Sequence, residues 1–529
     1  MPPSVLSPAT ALAVLAAMGG VTAAPTKGGP PQGPAPTGTV YPSGFDMTTS
    51  WANLSPYKDA PGHGQSSGVP RGCELSQVHI LHRHAQRFPV SSILDGGGMQ
   101  NFEQKLRNYS AAHPDTTVAR GPLSFLNEWE SVLGRETLLV SGAATEATCG
   151  ANTWSKYGRL LYRADPGVAV WDPSMNVYPN GTERPKPIFR TTSQERILES
   201  ARWWLSGFFS NTGANSSSEQ YELVQMPEGN GVNNSLASDH SCTNGKTEGT
   251  RSATEYIPRF TKDAVSRLAQ FLPGDFNLTA FDVASMMLTC PYEFAALGSS
   301  DFCSLFTEQE WKDWQYNVDL QFYGNYGWGA PSGRAQGIGY ILELAARLEG
   351  KLIETSDTSI NATFDDHEAT FPLHQPLFLD MSHDDVIVAA LAALGMDYFN
   401  HGPKGLPADV PHAPERAFKL NQISPFGAHF VSEIWTCPAR TDFHNLDATL
   451  YKNPDLSARR DTADYIRFVL NGASVPTMGM PGCRKAKNGF CPVSDFLASV
   501  PQLKEDAMYR YACFGEYPTG HQVGNGQPE

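Results

Sequence analysis

The sequence predicts an α/β fold: a central mixed β-sheet flanked by helices, with a mainly α-helical cap domain formed by insertions. Two observations carry this. Three strand-length apolar runs, Gln77–His82, Pro187–Arg190 and Leu377–Met381, each end in polar residues followed by a helix or a chain break. Between the second and third runs the periodic stretches Glu255–Phe271, Thr279–Leu288 and Thr307–Trp314 all read as helices. With 529 residues the chain can build a large core from more than one structural unit.

Taken in order, residues 1–24 read as a signal peptide, because Ala9–Ala24 is an apolar run ending in small residues before Pro25. Residues 25–70 are rich in Pro, Gly, Ser and Thr and predict an extended lead-in. The core is expected to start near Cys73, with strand Gln77–His82 running into Arg83-His84-Ala85-Gln86-Arg87-Phe88-Pro89. Helices are expected at Met99–Tyr109, Leu123–Gly134 and Ala151–Tyr162. Strand Pro187–Arg190 is followed by Thr192-Ser193-Gln194-Glu195, a capping-box pattern, and by a helix with apolar Ile197, Leu198, Ala201, Trp204, Leu205 and Phe208. Asn211–Thr250 reads as a long polar loop, and Ala335–Leu352 as a long helix after a Gly-rich break. Strand Leu377–Met381 leads through Ser382-His383-Asp384-Asp385 into the helix VIVAALAAL, with Ser382 the expected N-cap and Gly395 the stop. Further strands are expected at Gly427–Trp435 and Tyr465–Leu470, and a short helix at Asp495–Val500. The expected organisation is a core of 71–90, 185–210 and 330–515, a cap of 91–184 and 211–329, and a loose polar tail at 516–529.

Composition excludes some classes. A net charge of −15 and a pI near 5.4 argue against nucleic acid as a partner. The apolar N-terminal run is too short for a comfortable membrane span, so no membrane partner is expected. Sequons at Asn53, Asn108, Asn180, Asn215, Asn233, Asn277 and Asn361 fit a secreted, extracellular glycoprotein. The nine cysteines form no CxxC pattern, so disulfides are expected rather than a metal site, and one thiol must lack a partner within the chain. Cys290/Cys303 and Cys483/Cys491 are the natural local pairs.

The three polar clusters carry the chemistry. Arg83 and Arg87 bracket His84, and guanidinium forks suit phosphate oxygens. A histidine held between them can attack phosphorus. Arg190 stands where a strand becomes a helix, and His383-Asp384 open another helix. Ligands of open α/β sheets bind at the carboxyl ends of strands, where helix N-termini also favour anions. A common crevice would thus unite a phosphate site, a nucleophile and a proton donor. The pair His82/His84 could share a strand face as metal ligands do, but flanking arginines would repel a cation, so no metal is expected. Arg196 reads as a helix-surface or ion-pair residue, and Asp385 as a helix N-terminal charge.

RHAQRFP resembles the RHGxRxP signature of the histidine acid phosphatase family, whose members include fungal phytases. Phe189–Ile197 is similar to that family's second arginine segment, and Ser382-His383-Asp384 to its HD motif. Gly324–Leu348, Cys290–Glu293 and Phe302–Thr307 also resemble phytase-like members. The resemblance implies a secreted acid phosphatase acting on a small phosphate monoester, with phytate (myo-inositol hexakisphosphate) one such substrate, through a phosphohistidine intermediate. It implies His84 as nucleophile, Asp384 as proton donor, and Arg83, Arg87, Arg190 and His383 as phosphate ligands, with no cofactor and a monomeric enzyme. It further implies the bridges Cys73–Cys437, Cys242–Cys513, Cys290–Cys303 and Cys483–Cys491, leaving Cys149 free. Two departures stand out: Ala85 replaces the motif glycine, and Ser91–Gln100 lacks the lysines that phytases present to a polyphosphorylated ring. These leave two alternatives open, a broad phosphomonoesterase with little phytase activity and a catalytically weak phosphate-ester binding protein. A mutase-type phosphotransferase is a third, disfavoured by the secretion signals and the Asp384 motif.

Overall fold

Each central strand is buried on both faces, and its neighbours follow from that. In the computed structural model, which describes residues 38–162, 171–209, 217–447 and 461–529, all six residues of Leu377–Ser382 are buried, as are the last six of Glu74–Arg83. Such runs need a layer of helices on either side of the sheet.

Among the described residues the main sheet has eight strands: β1 (Glu74–Arg83), β2 (Ile188–Thr192), β3 (Glu222–Met226), β4 (Leu377–Ser382), β5 (His429–Pro438), β6 (Thr462–Leu470), β7 (Ala473–Ser474) and β8 (Cys491–Pro492). Their order is β8-β6-β5-β1-β4-β2-β3, with β7 also on β6. The sheet is mixed, as expected: β1, β4, β2 and β3 pair in parallel, and β5 lies antiparallel to β1 and β6. Register fixes the site, because Arg83 pairs with Ser382, so β1 and β4 end side by side. His84 and His383 are the next residues along each strand.

One face is covered by α2 (Val140–Thr153) and α3 (Glu195–Phe208), which bury Trp204 and Phe208 against Val78, Phe189 and Leu379. The other carries α7 (Gly333–Glu349), α8 (Asp384–Ala393) and α9 (Val493–Ala507). A Cβ at Gly337 would collide with the Ala389 carbonyl, so glycine permits the close approach of α7 and α8. Further helices are α1 (Gly96–Ala112), α4 (Glu248–Phe260), α5 (Ala280–Leu297) and α6 (Glu308–Tyr326). Capping boxes start α5 at Thr279/Asp282 and α6 at Thr307/Glu310. All four expected disulfides are present, and Cys149 is a buried free thiol. None of the described helices is long and apolar enough to cross a membrane.

Several expectations change. The lead-in is not merely extended: Asp46 caps a short helical turn, and Met47, Trp51, Ala52 and Leu54 are buried in the core. Apolar area, not composition, decides this. Residues 140–162 flank the sheet instead of joining the cap, since Cys149, Trp154 and Tyr157 share a cluster with β1 and β4. The polar stretch 211–250 contains edge strand β3. Thr192 belongs to β2 and Gln194 is the N-cap of α3, so no Thr192–Glu195 box forms. Ser382 ends β4 and His383 is the N-cap of α8. Only a short 3₁₀ turn, Gly121–Asn127, answers the helix expected at 123–134. The tail docks: Val523 donates its N–H to the Gly329 carbonyl (3.0 Å) and Gly526 to that of Trp328 (2.9 Å). The signal segment, residues 25–37 and Asn215 lie outside the described residues.

Candidate active site

Each catalytic candidate stands at an element boundary. His84 follows β1 and is buried, and its amide donates to the Ser382 carbonyl at 3.1 Å, stitching β1 to β4. Its Nδ1 lies 2.8 Å from the Ala85 carbonyl. A carbonyl only accepts, so Nδ1 carries the proton and Nε2 keeps its lone pair. Arg196 agrees, donating Nε–H to His84 Nε2 at 3.3 Å. Burial first, then Arg196, Arg83 and Arg87, hold the imidazole well below its ordinary pKa. The imidazole is neutral, with the lone pair of Nε2 turned toward the Arg196 guanidinium.

Three arginines surround it. Arg83 donates to the Ser424 and Asn53 carbonyls, lies over Phe426 and pairs with Asp384 at 2.8 Å. Arg87 donates to Tyr292 Oη (2.8 Å), and both meet Asp95, the N-cap of α1. Arg196, on the first turn of α3, is the third; burial and Arg87 lower its pKa to about 10. Arg83 Nε, Arg87 Nε and Arg196 Nη1 are buried and make no hydrogen bond to any described residue. Buried guanidinium N–H groups without partners are costly, and a phosphoryl group satisfies them.

Arg190 is a correction. It lies wholly inside the fold, ion-paired to Asp380 (2.6 Å), Asp365 (3.0 Å) and Glu343. Arg347 completes that network through Asp380. Arg190 pairs in register with Asp380, two positions short of the β4 end at Ser382, and its guanidinium is taken up by this buried network. Arg196, six residues on, is the guanidinium that touches His84 and lines the cavity.

His383 faces His84 edge-on, ring centroids 6.0 Å apart. Burial works against its charge, but Glu228 at 3.0 Å outweighs that and raises its pKa. Asp384 accepts from Arg83 and from Asn53 Nδ2 (2.9 Å). Burial pushes its carboxyl up; Arg83 and Asn53 overcome this and hold it below the usual range. Asp385 lines the same cavity, pushed up to about 7 by burial and Asp239. The cavity measures about 520 Å³ and is lined by residues next to the β4 end, from the start of α3 and from α5 and α6. Ala85 is not in the left-handed region, so it carries no backbone strain. Asn53 is 7% exposed with its amide on Asp384, which rules out a glycan there. Asn108, Asn180, Asn233 and Asn277 are exposed and Asn361 is half-buried.

Asn53, Glu228 and Arg196 are the functional residues that pattern reading missed. The signal for Asn53 was the apolar Met47, Trp51 and Leu54 around it. For Arg196 it was its position on the first turn of a helix after a strand.

An arginine-lined pocket at parallel strand ends, with a neutral imidazole and a carboxyl beside it, has the groups that phosphoryl transfer calls for. The profile of the histidine phosphatase superfamily (branch 2) matches residues 74–471, and the chain belongs to that family. Phytase A of Aspergillus fumigatus is 28% identical over 464 residues, covering 85% of this chain and 87% of that protein. The thiamine-repressible acid phosphatase of Schizosaccharomyces pombe is 28% identical over 415 residues, covering 75% of this chain and 80% of the other. Among solved structures, the phytase from D. castellii superposes with a TM-score of 0.65 at 20% identity, covering 89% of this chain and 88% of that one, which bears on the fold.

Proposed function

We propose that this chain is a secreted acid phosphatase that hydrolyses phosphate monoesters through a phosphohistidine on His84. The observation that carries it is the set of buried, unpartnered guanidinium N–H groups on Arg83, Arg87 and Arg196 around a lone-pair-bearing Nε2.

In the first step His84 Nε2 attacks phosphorus and the P–O ester bond breaks. Asp384 gives its proton to the leaving alkoxide. Arg83, Arg87, Arg196 and protonated His383 hold the equatorial oxygens as charge shifts during transfer. A bound phosphate competes with Asp384 for Arg83, raising the carboxyl toward protonation, and acidic medium does the rest. In the second step Asp384 takes a proton from water, the water oxygen bonds to phosphorus, and the N–P bond breaks. The chain ends as it began, with phosphate released. The S. pombe acid phosphatase and the Aspergillus phytases among its relatives support this chemistry. Disulfides and exposed sequons support an extracellular setting.

The test is His84→Ala assayed on p-nitrophenyl phosphate at acid pH, with rapid alkaline-quench trapping of labelled enzyme. Loss of turnover by roughly 10³-fold or more, together with loss of the acid-labile label, is expected. Retained turnover refutes the reading. The weak-binder alternative predicts tight phosphate-ester binding without turnover in the unmutated enzyme.

A further inference from the structure

The cradle around His84 accounts for one phosphoryl group; the rest of the cavity tells what is attached to it. Among its described lining residues are six carboxyl side chains (Asp95, Glu136, Glu228, Asp239, Asp384, Asp385), three arginines or lysines (Arg87, Arg196, Lys246) and two histidines, His240 and His383, both against Glu228. Outside the cradle the cations are already committed. Lys246 is paired with Asp239, and His240 with Glu228 at 3.2 Å. Arg87 itself sits 3.3 Å from Asp95. The loop after Pro89 contributes Val90, Ser91, Ser92 and Ile93, without a cation. From α5 and α6 the lining takes apolar Leu288, Trp314, Val318 and Phe322 beside polar, uncharged Gln321, Asn325 and Tyr326.

A ligand bearing several phosphates would bring each further anionic charge against carboxylates and apolar side chains. Like charges in a partly desolvated cleft repel, and an unpaired phosphate loses hydration without compensation. An apolar alcohol brings no charge there and gains by burial against Leu288, Trp314, Val318 and Phe322. Resting on the phosphatase reading above, we infer that the preferred substrate is a monophosphate ester of an apolar, uncharged alcohol, and that the acidic lining selects against polyphosphorylated esters such as phytate. The carboxylate of Asp239 acts twice in this selection, as a negative charge in the wall and as the group that holds Lys246.

The test compares kcat/KM of the full-length enzyme at acid pH on 2-phenylethyl phosphate, glycerol 2-phosphate and phytate. All three are alkyl esters, so leaving-group acidity does not set the order. The expected order is 2-phenylethyl phosphate first, glycerol 2-phosphate second and phytate last, with roughly tenfold or more between the ends. Asp239→Asn removes one lining charge and releases Lys246, and should raise the phytate to 2-phenylethyl phosphate ratio roughly fivefold. Phytate equal to or ahead of 2-phenylethyl phosphate overturns the inference and leaves the phosphatase reading standing, as does an Asp239→Asn ratio that does not move. Turnover of none of the three overturns the phosphatase reading and this inference with it.

Discussion

Arg190 and Arg196 lie six positions apart and do opposite work, and mutation should separate them. Arg190→Ala leaves Asp380, Asp365 and Glu343 buried with one cation fewer, a loss of about 3–5 kcal/mol. The expected result is a chain that unfolds at markedly lower urea, with activity lost in proportion. Arg196→Ala removes a guanidinium that touches His84 and lines the cavity. It should keep its unfolding free energy within about 1 kcal/mol while kcat/KM falls roughly 10²-fold. Asn53 is a third such residue. Its amide helps keep Asp384 ionised, so Asn53→Leu should raise the Asp384 pKa and carry the alkaline limb of kcat/KM to higher pH. Glycopeptide mapping should find Asn53 unmodified.

Strand β3 and the loop after it give the active site its second cation. The strand lies at the sheet edge beside β2, and two residues past its end Glu228 reaches His383 and His240. Because Glu228 raises the His383 pKa, the charged imidazole persists below and through the ordinary histidine range and is lost only as pH climbs through the raised value. Glu228→Gln removes that pull, and the charge is then lost at lower pH. The alkaline limb of kcat should shift downward, the opposite direction from Asn53→Leu. A shift of the same sign in both variants would contradict the assignment of one limb to each group. The helix that carries Asp384 is held from behind by α7, whose Gly337 allows the contact. Gly337→Val should therefore destabilise the fold by forcing α7 and α8 apart.

Across the molecule, acid resistance is a balance of buried groups. Burial pushes Glu433 up, but Arg467 outweighs it and holds the carboxyl at about 2. Its contribution is present above the unfolded pKa near 4.5 and is lost only as pH falls toward about 2. His82 acts in the other direction. Burial beside Glu146 lowers its pKa to about 3, so below its ordinary value of 6.5 the unfolded chain binds a proton that the folded one refuses. Stability supplied by the neutral histidine therefore declines from neutral pH down to about 3. His82→Gln should reduce the loss of urea midpoint between pH 7 and pH 4 relative to the unmutated enzyme. The Cys73–Cys437 bridge closes a span of 364 residues, tying the start of β1 to β5.

Legibility in the sequence follows the range of the forces involved. Strands β1, β2 and β4, helix α8 and the boundary residues His84, His383 and Asp384 could all be read from local patterns. Period, polar turn and N-terminal acid act within a few residues of one another. Arg190 and Arg196 could not be told apart in that way, because both lie at one strand-to-helix junction. Which of them lines the cavity depends on where Asp380, Glu343 and Asp365 arrive from distant segments. The same holds for Asn53, whose sequon signals a glycan until Trp51 and Leu54 bury it against Asp384. Patterns along the chain brought out the polar groups of the site, since His84, Asp384 and two arginines lie in short runs beside their own strands. Only the tertiary structure decided the third arginine, the partners that set each pKa and the charge of the surrounding wall. The pairs Arg196–His84, Glu228–His383 and Arg83–Asp384 each lie more than a hundred positions apart, where burial and Coulomb attraction act through space.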